Sequence, residues 1–132
     1  MTIIDYMWHV AKYSVFGVKI SVKQYPEPLE VIGVNVRNLE YETSSGIHIV
    51  PMDFSEVRLY LYPLSHLTGD DFIRYEAWSK PPIGGHESRE RFLERMNNLE
   101  KLLCSRHIDY IGLIQIGMAV DATGKGIYGN ME

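Results

Sequence analysis

The stretch Ile108-Asp-Tyr-Ile-Gly-Leu-Ile-Gln-Ile-Gly-Met-Ala-Val-Asp-Ala122 is the most apolar run of the chain. Only two of its residues, Asp109 and Asp121, are charged, and it follows the clearest helical pattern in the sequence. Exposure of such a run to water is unfavourable, so the rest of the domain is expected to pack against it.

Two glycines, Gly112 and Gly117, leave two conformations open for this stretch. In the first, a short helical turn ends at Gly117, and a fully buried strand follows at residues 118–120. In the second, residues 111–120 form a single strand that is kinked at both glycines. We favour the first, in which the glycines set the bends.

Two helices are predicted before this stretch. The longer one covers residues 89–104, with Ser88 as its N-cap. Its apolar residues recur at spacings of four, three and four, which is typical of an amphipathic helix docking on a sheet. Its apolar stripe consists of Phe92, Met96, Leu99 and Leu103. The shorter helix begins at Thr68-Gly-Asp-Asp71, which resembles a capping box, and runs to about Trp78.

Four or five short strands are predicted before residue 63, because apolar and polar residues alternate there or β-branched residues are concentrated. They cover residues 15–23, 29–36, 39–43, 47–50 and 57–62. Residues 2–13 fit either a helix or a strand. We therefore expect one α+β domain over residues 1–132. It would contain a small antiparallel sheet of four to six short strands, or a half-open barrel, packed by two helices.

The composition excludes several classes of protein. A net charge of −4 argues against nucleic-acid binding, which depends on a cationic surface. The single cysteine, Cys104, cannot form an intramolecular disulfide, and no apolar run is long enough to span a bilayer. No signal peptide is recognised at the N-terminus. We expect a cytoplasmic protein without a membrane partner.

A surface rich in aromatic residues is the first candidate binding site. Arg58, Tyr60 and Tyr62 are predicted on one face of the strand at 57–62, and Trp78 ends the shorter helix. Tyrosine, tryptophan and arginine are enriched where proteins bind partners, so these four residues are candidates for binding a protein or a small ligand. The alternative is an ordinary solvated face of the sheet.

A second candidate is Gly84-Gly85-His86, just before the Ser88 cap, where free backbone N–H groups and a histidine would suit an anion. A plain capped loop is the alternative. Cys104 and His107, three residues apart, could act as nucleophile and base or share a metal ion. Such a pair arises easily by chance, and the sequence predicts no catalytic constellation, no metal site and no cofactor.

Residues 107–122, which read His-Ile-Asp-Tyr-Ile-Gly-Leu-Ile-Gln-Ile-Gly-Met-Ala-Val-Asp-Ala, resemble a group of small uncharacterised proteins. These proteins are encoded in phages and integrated mobile elements of gut bacteria and share a motif close to H-x-D-Y-x-G-L-I-x-x-G-x-A-V-D-A. The similarity begins at Val31 and includes Val57–Thr68. Met118 replaces the leucine usual in the group, and Tyr62 stands where arginine is common. The resemblance implies a genomic setting and no mechanism.

Three hypotheses for the function follow from the sequence. The first is a non-enzymatic accessory binding protein of a phage or mobile element, which binds a host protein or a small ligand and could counter a host defence. The second is a structural or assembly protein that forms homo-oligomers. The third is a small enzyme that uses Cys104 and His107.

Overall fold

The computed structural model describes residues 2–49, 56–82 and 84–129, which form an α+β fold, as predicted. The helices are α1 (Ile3–Ser14), α2 (Gly69–Ser79) and α3 (Arg89–Ser105), with a short 3-10 helix at Leu64–His66. The strands are β1 (Lys19–Val22), β2 (Leu29–Asn35), β3 (Glu40–Thr43), β4 (His48–Ile49), β5 (Val57–Leu61) and β6 (Ala119–Asp121).

The six strands form one sheet in the order β4-β3-β2-β1-β5-β6. All neighbours are antiparallel except β5 and β6, which are parallel. Parallel neighbours need a long crossover connection, and α2 and α3 lie in that connection. The strand prediction is therefore confirmed for the antiparallel part, except that β1 begins at Lys19 and not at Val15, because Val15 is the C-cap of α1. Val50, predicted in a strand, lies outside the described residues. The last strand makes the sheet mixed.

The N-terminal segment, left open between helix and strand, is the helix α1. Its buried residues Tyr6, Val10 and Tyr13 recur at helical spacing and pack into the core with the inner face of the sheet. Thr2 and Asp5 form a capping box, in which the Asp5 N–H donates to the Thr2 hydroxyl over 3.1 Å. The structure therefore has three helices, where two were predicted, and α1 is the one that packs on the sheet.

The helix starts differ from one another in their capping. Thr68 is the N-cap of α2 but its side chain makes no capping hydrogen bond, so the capping box predicted there is wrong. Ser88 caps α3 as predicted, because its hydroxyl accepts from the Arg91 N–H over 3.2 Å.

The helices α2 and α3 form a hairpin that joins the rest of the domain at one end. Only Leu102, Leu103 and Cys104 of α3 are buried, and α2 has no buried residue. The predicted apolar stripe of α3 is therefore only partly correct, since Phe92 remains 45% exposed. The guanidinium of Arg95 fixes the far end of the hairpin by donating to the Trp78 carbonyl over 2.7 Å and to the Glu87 carboxylate over 2.8 and 2.9 Å.

The apolar stretch 108–122 forms a turn followed by a strand, which is the order of the first predicted conformation. The strand is Ala119–Asp121 rather than residues 118–120, and only Ala119 of it is buried, so the prediction of a fully buried strand is wrong. The carboxylate of Asp109 accepts from the N–H groups of Gly112 and Leu113 over 2.9 Å and of Ile114 over 2.8 Å. Gly112 and Gly117 have φ values of 91° and 78°, which are accessible to glycine at little cost. A buried carboxylate thus shapes the turn that leads into β6.

Candidate functional site

A pocket of about 380 Å³ lies where the start of α2, the end of α3 and the C-terminal segment meet. Its lining comes from Tyr62, residues 66–68, Asp71, residues 105–108, Tyr128 and Gly129. The residues after β5 reach it because the Tyr62 N–H donates to the His107 carbonyl and the Asp109 N–H donates to the Tyr62 carbonyl, each over 2.8 Å. The end of β5 and the end of α3 are thereby held against each other.

Two stacked ring pairs form the aromatic part of this pocket. Tyr62 stacks on His66 with ring centroids 4.1 Å apart, and His107 stacks on Tyr128 at 3.9 Å. The Tyr62 and Tyr128 rings lie 5.8 Å apart and tilted, so the two pairs adjoin. Such contacts add to the free energy gained by burying the rings and restrict their motion.

Tyr128 is held firmly by the sheet. Its hydroxyl donates to the Tyr60 carbonyl over 2.7 Å and accepts from the Lys19 N–H over 2.8 Å. The Lys19 ammonium also donates to the Ile127 carbonyl over 2.9 Å. Residues 127–129 are therefore tied to the sheet, and residues 130–132 lie outside the described residues.

His107 occupies a position that usually belongs to glycine. The Ile108 N–H donates to the Leu103 carbonyl over 2.8 Å, and the His107 N–H donates to the Cys104 carbonyl over 3.1 Å. This is the Schellman motif, which ends many helices with a left-handed residue. The φ of His107 is 57°, and this conformation costs a non-glycine residue about 1–2 kcal/mol. Strain of this kind is often found at functional sites.

The imidazole of His107 is held neutral and oriented. Burial lowers its pKa, and the ring nitrogen Nε2 lies 2.8 Å from the carbonyl oxygen of Phe16. A carbonyl can only accept, so Nε2 carries the proton, and in the neutral ring Nδ1 is left as an acceptor. His107 therefore offers the pocket a stacked ring with a fixed tautomer.

An ion pair lies at the rim of the pocket. The Arg106 guanidinium donates from Nε to Asp71 Oδ2 over 2.8 Å and from Nη2 to Asp71 Oδ1 over 3.3 Å. Arg74 also lies near Asp71, with 3.6 Å between Nη1 and Oδ1. About half of the Arg106 side chain remains exposed, so it can contact a ligand as well as hold α2 against α3.

The structure distributes the predicted site residues over three places. Tyr62 lines the pocket but is only 4% exposed, so it does not share the half-exposed face of Arg58 and Tyr60. The reason is that β5 ends at Leu61, and Tyr62 instead forms an isolated bridge with Ile108. Tyr60 contributes its backbone carbonyl, which anchors Tyr128 behind the pocket.

The remaining predicted site residues lie at the far end of the α2–α3 hairpin. Trp78 lines one depression with Glu87, Arg91 and Arg95 and a second one with Val15 and Phe16. Gly84, Gly85 and His86 are exposed in the loop between α2 and α3. None of these four predicted residues lines the pocket that contains Tyr62.

Cys104 is a core residue. It is 1% exposed and packs with α1 and the sheet, and burial raises the pKa of its thiol to about 11. A neutral buried thiol is a poor nucleophile. Within residues 2–49, 56–82 and 84–129, no group of three or more His, Cys, Asp and Glu side chains is placed to hold a metal ion.

The stability of the protein is expected to fall as the pH is lowered from about 7 to about 5. Burial lowers the pKa of both His9 and His107 from the ordinary value of 6.5. Below about pH 6.5 the unfolded chain therefore binds protons at these histidines more readily than the folded protein does. Their contribution to stability is fully present above pH 6.5, and it is lost as the pH falls from there through the pKa values of the folded protein. Urea unfolding across this range measures the effect.

The double variant His9→Asn/His107→Asn should flatten this pH dependence, whereas His86→Asn, at an exposed position, should leave it unchanged. The carboxylates of Glu87 and Asp121 titrate below the window, because hydrogen bonds from Arg95 and Thr123 lower their pKa values. A stability that stays constant or rises on acidification to pH 5 would contradict the assignment.

No protein-family model matches the chain, and no significant match was found among curated proteins or solved structures. Among the described residues, no helix is long and apolar enough to cross a membrane. The functional interpretation therefore depends on the geometry of the site and on the resemblance described above.

Proposed function

We propose that this chain is a non-enzymatic accessory binding protein of a phage or mobile element and that it acts in the cytoplasm. It binds a small ligand in the pocket described above, which is lined by Tyr62, His66, Arg106, His107 and Tyr128. The observation that carries the proposal is the meeting of two stacked His–Tyr pairs and a half-exposed guanidinium around one concave space. Concave sites with aromatic walls and a few oriented polar groups are typical ligand sites.

The chemistry of the lining supports a small, polar ligand with a planar or anionic group. The volume of about 380 Å³ is at the lower end of the range for ligand pockets. Arg106 supplies planar donors and a positive charge that it shares with the Asp71 carboxylate, His107 supplies an imidazole, and Thr68 has a hydroxyl that is not used in capping. The four ring side chains would contact a flat ligand and exclude water around it.

Binding is favoured over catalysis because the pocket lacks an activated nucleophile. Ser105 lines it, but its hydroxyl donates to the Leu102 carbonyl over 2.9 Å and is thereby committed to the helix backbone. Cys104 lies in the core and does not line the pocket. His107 is the neutral base, yet no hydroxyl or thiol of the described residues is hydrogen-bonded to its ring.

The test is a thermal-shift and calorimetric screen of the purified protein against nucleosides, nucleotides, amino acids and small carboxylates. A ligand that binds should lose about tenfold or more in affinity in His66→Ala, because half of the Tyr62–His66 wall is removed. The matched control is His86→Ala, which removes an exposed histidine in the loop between α2 and α3. Arg106→Gln tests the charge at the rim of the pocket by the same measurement and should also weaken ligand affinity. Its control is Arg91→Gln, which should not.

Two results would overturn this assignment. A ligand whose affinity depends on His86 and not on His66 would move the site to the predicted Gly84–His86 loop. The second result is a host protein that the wild type, His66→Ala and Arg106→Gln all retrieve equally well. Binding would then occur on a surface other than the pocket. The proposed counter-defence role predicts that the captured ligand is a molecule of the host, which mass spectrometry of protein purified from host extract identifies.

A further inference from the structure

The outer face of α1 carries an apolar stripe that nothing in the described structure covers. Ile4, Trp8, Ala11 and Val15 follow one another at spacings of four, three and four, which places them on one side of the helix. Ile4, Trp8 and Val15 are 49%, 57% and 77% exposed. The opposite face of α1 is buried in the core, so this surface helix is apolar on two sides. A surface helix ordinarily presents polar residues to solvent.

The stripe continues into a shallow apolar depression beside the end of α1. Val15 and Phe16 line it together with Trp78 and Leu102, and its volume is about 570 Å³. Aromatic side chains have areas of about 150–250 Å², and isoleucine and valine are smaller, so the exposed parts of Ile4, Trp8, Val15 and Phe16 amount to roughly 400 Å². A stable interface buries about 800 Å² per partner, of which somewhat more than half is apolar. The apolar area is therefore close to what a dimer needs.

Charged residues along one side of the stripe indicate what covers it. Asp5 and Lys12 are seven residues apart and follow Ile4 and Ala11 respectively, so they lie on the same flank of the stripe. In an antiparallel pair of α1 helices, Trp8 of each copy lies opposite Ala11 of the other, a large residue against a small one. Asp5 of each copy then lies beside Lys12 of the other, and the two-fold axis repeats this pair.

We infer that the outer face of α1 is a dimer interface, in which two copies of this chain pair their α1 helices antiparallel. Lys12 already contacts Glu100, with 3.5 Å between Nζ and Oε2. Because both side chains are almost half exposed, this ion pair is weak and leaves the lysine able to pair with another carboxylate. A membrane surface is a poorer occupant, because an interfacial helix usually carries a cluster of lysines and arginines, and α1 has one lysine and no arginine. The stripe shares no residue with the pocket, so the inference is independent of the ligand proposal.

Analytical ultracentrifugation over protein concentrations from about 1 μM to about 1 mM tests the inference. The wild type is expected to shift from monomer to dimer, and Trp8→Glu is expected to remain monomeric because it places a charge in the centre of the interface. The matched control is Ile73→Glu, which places the same charge at an exposed apolar residue of α2 and should dimerise as the wild type does. A wild type that stays monomeric, or a dimer that survives Trp8→Glu, would overturn the inference.

Charge reversal tests the antiparallel orientation. Asp5→Lys alone would bring two lysine side chains together across the interface, and Lys12→Asp alone would bring two aspartates together, so each variant should dimerise at least about tenfold more weakly. An equimolar mixture of the two should form a heterodimer at the wild-type concentration, because the opposite charges then meet. Asp5→Lys also removes the capping contact of Asp5 at the start of α1, and mixing with the second variant cannot restore that contact. Restored dimerisation in the mixture would therefore show that the single variants dimerise weakly because of charge repulsion between the two copies. Dimerisation of both single variants at wild-type strength would exclude the antiparallel pair.

Discussion

Replacement of Asp109 by alanine is expected to lower the free energy of unfolding by about 3–5 kcal/mol. The carboxylate accepts three backbone N–H groups, those of Gly112, Leu113 and Ile114, and the side chain is only 8% exposed. Alanine would leave these donors without their acceptor in a part of the structure that water reaches poorly. Urea unfolding followed by far-UV circular dichroism measures the loss.

Asp121→Ala is the matched control. That carboxylate is exposed and accepts from the Thr123 N–H over 2.9 Å in a surface turn, so its loss should cost less than about 1 kcal/mol. Asp109→Asn, which keeps one acceptor oxygen, should fall between the two and remains measurable if Asp109→Ala does not fold. Equal losses for Asp109→Ala and Asp121→Ala would show that the turn does not depend on the buried carboxylate.

Removal of a single hydroxyl, in Tyr6→Phe, is expected to cost about 2–4 kcal/mol. The Tyr6 hydroxyl accepts from the Leu59 N–H over 2.9 Å and donates to the Met118 carbonyl over 2.8 Å, and the residue is fully buried. It therefore links α1 to β5 and to the residue just before β6. Phenylalanine would leave a buried donor and a buried acceptor unpaired.

Tyr41→Phe provides the comparison for this change, since it removes the same atom from another fully buried tyrosine. The Tyr41 hydroxyl has no hydrogen-bond partner among the described residues, so its removal should be neutral or stabilising. Thermal unfolding of both variants gives the difference directly. The interpretation fails if Tyr41→Phe is the more destabilising substitution.

The local pattern of the sequence was sufficient to predict most of the antiparallel sheet. Val57, Leu59 and Leu61 alternate with polar or amphipathic residues, and the structure buries all three. The register of β2 against β3 shifts between Val31 and Gly33, and a glycine within a strand often marks such a bulge. These features depend on neighbouring residues and on strands joined by short turns, which is why a local pattern is enough.

The features that the sequence did not reveal depend on contacts between distant segments. The parallel pairing of β5 with β6 joins Leu59 to Ala119, and no local pattern specifies that register. The pocket combines residues after β5, the start of α2, the end of α3 and Tyr128. His66 and Tyr128 gave no signal of their own, because one follows a proline in a short connector and the other lies near the C-terminus. His107 was considered only as a partner of Cys104, whereas its partners are Phe16 and Tyr128.

Several positions of the motif at residues 107–122, on which the proposed resemblance is based, have a physical interpretation in the structure. Asp109 accepts the N–H groups of the turn, Gly112 adopts a left-handed φ and Leu113 is fully buried. These three residues maintain the fold. His107 is different, because it takes the place of a helix-ending glycine while its ring lines the pocket.

The two strands at the ends of the sheet have a consequence for self-association. Within residues 2–49, 56–82 and 84–129, β4 has two residues and β6 has three, so neither of these described edges offers a long row of free backbone N–H and C=O groups to another chain. Short edge strands are a common protection against edge-to-edge pairing, which leads to open-ended aggregates. Because these edges do not favour the addition of further strands, contacts between copies are expected at the helices. A two-fold pairing of the α1 helices gives a closed dimer and no longer assembly.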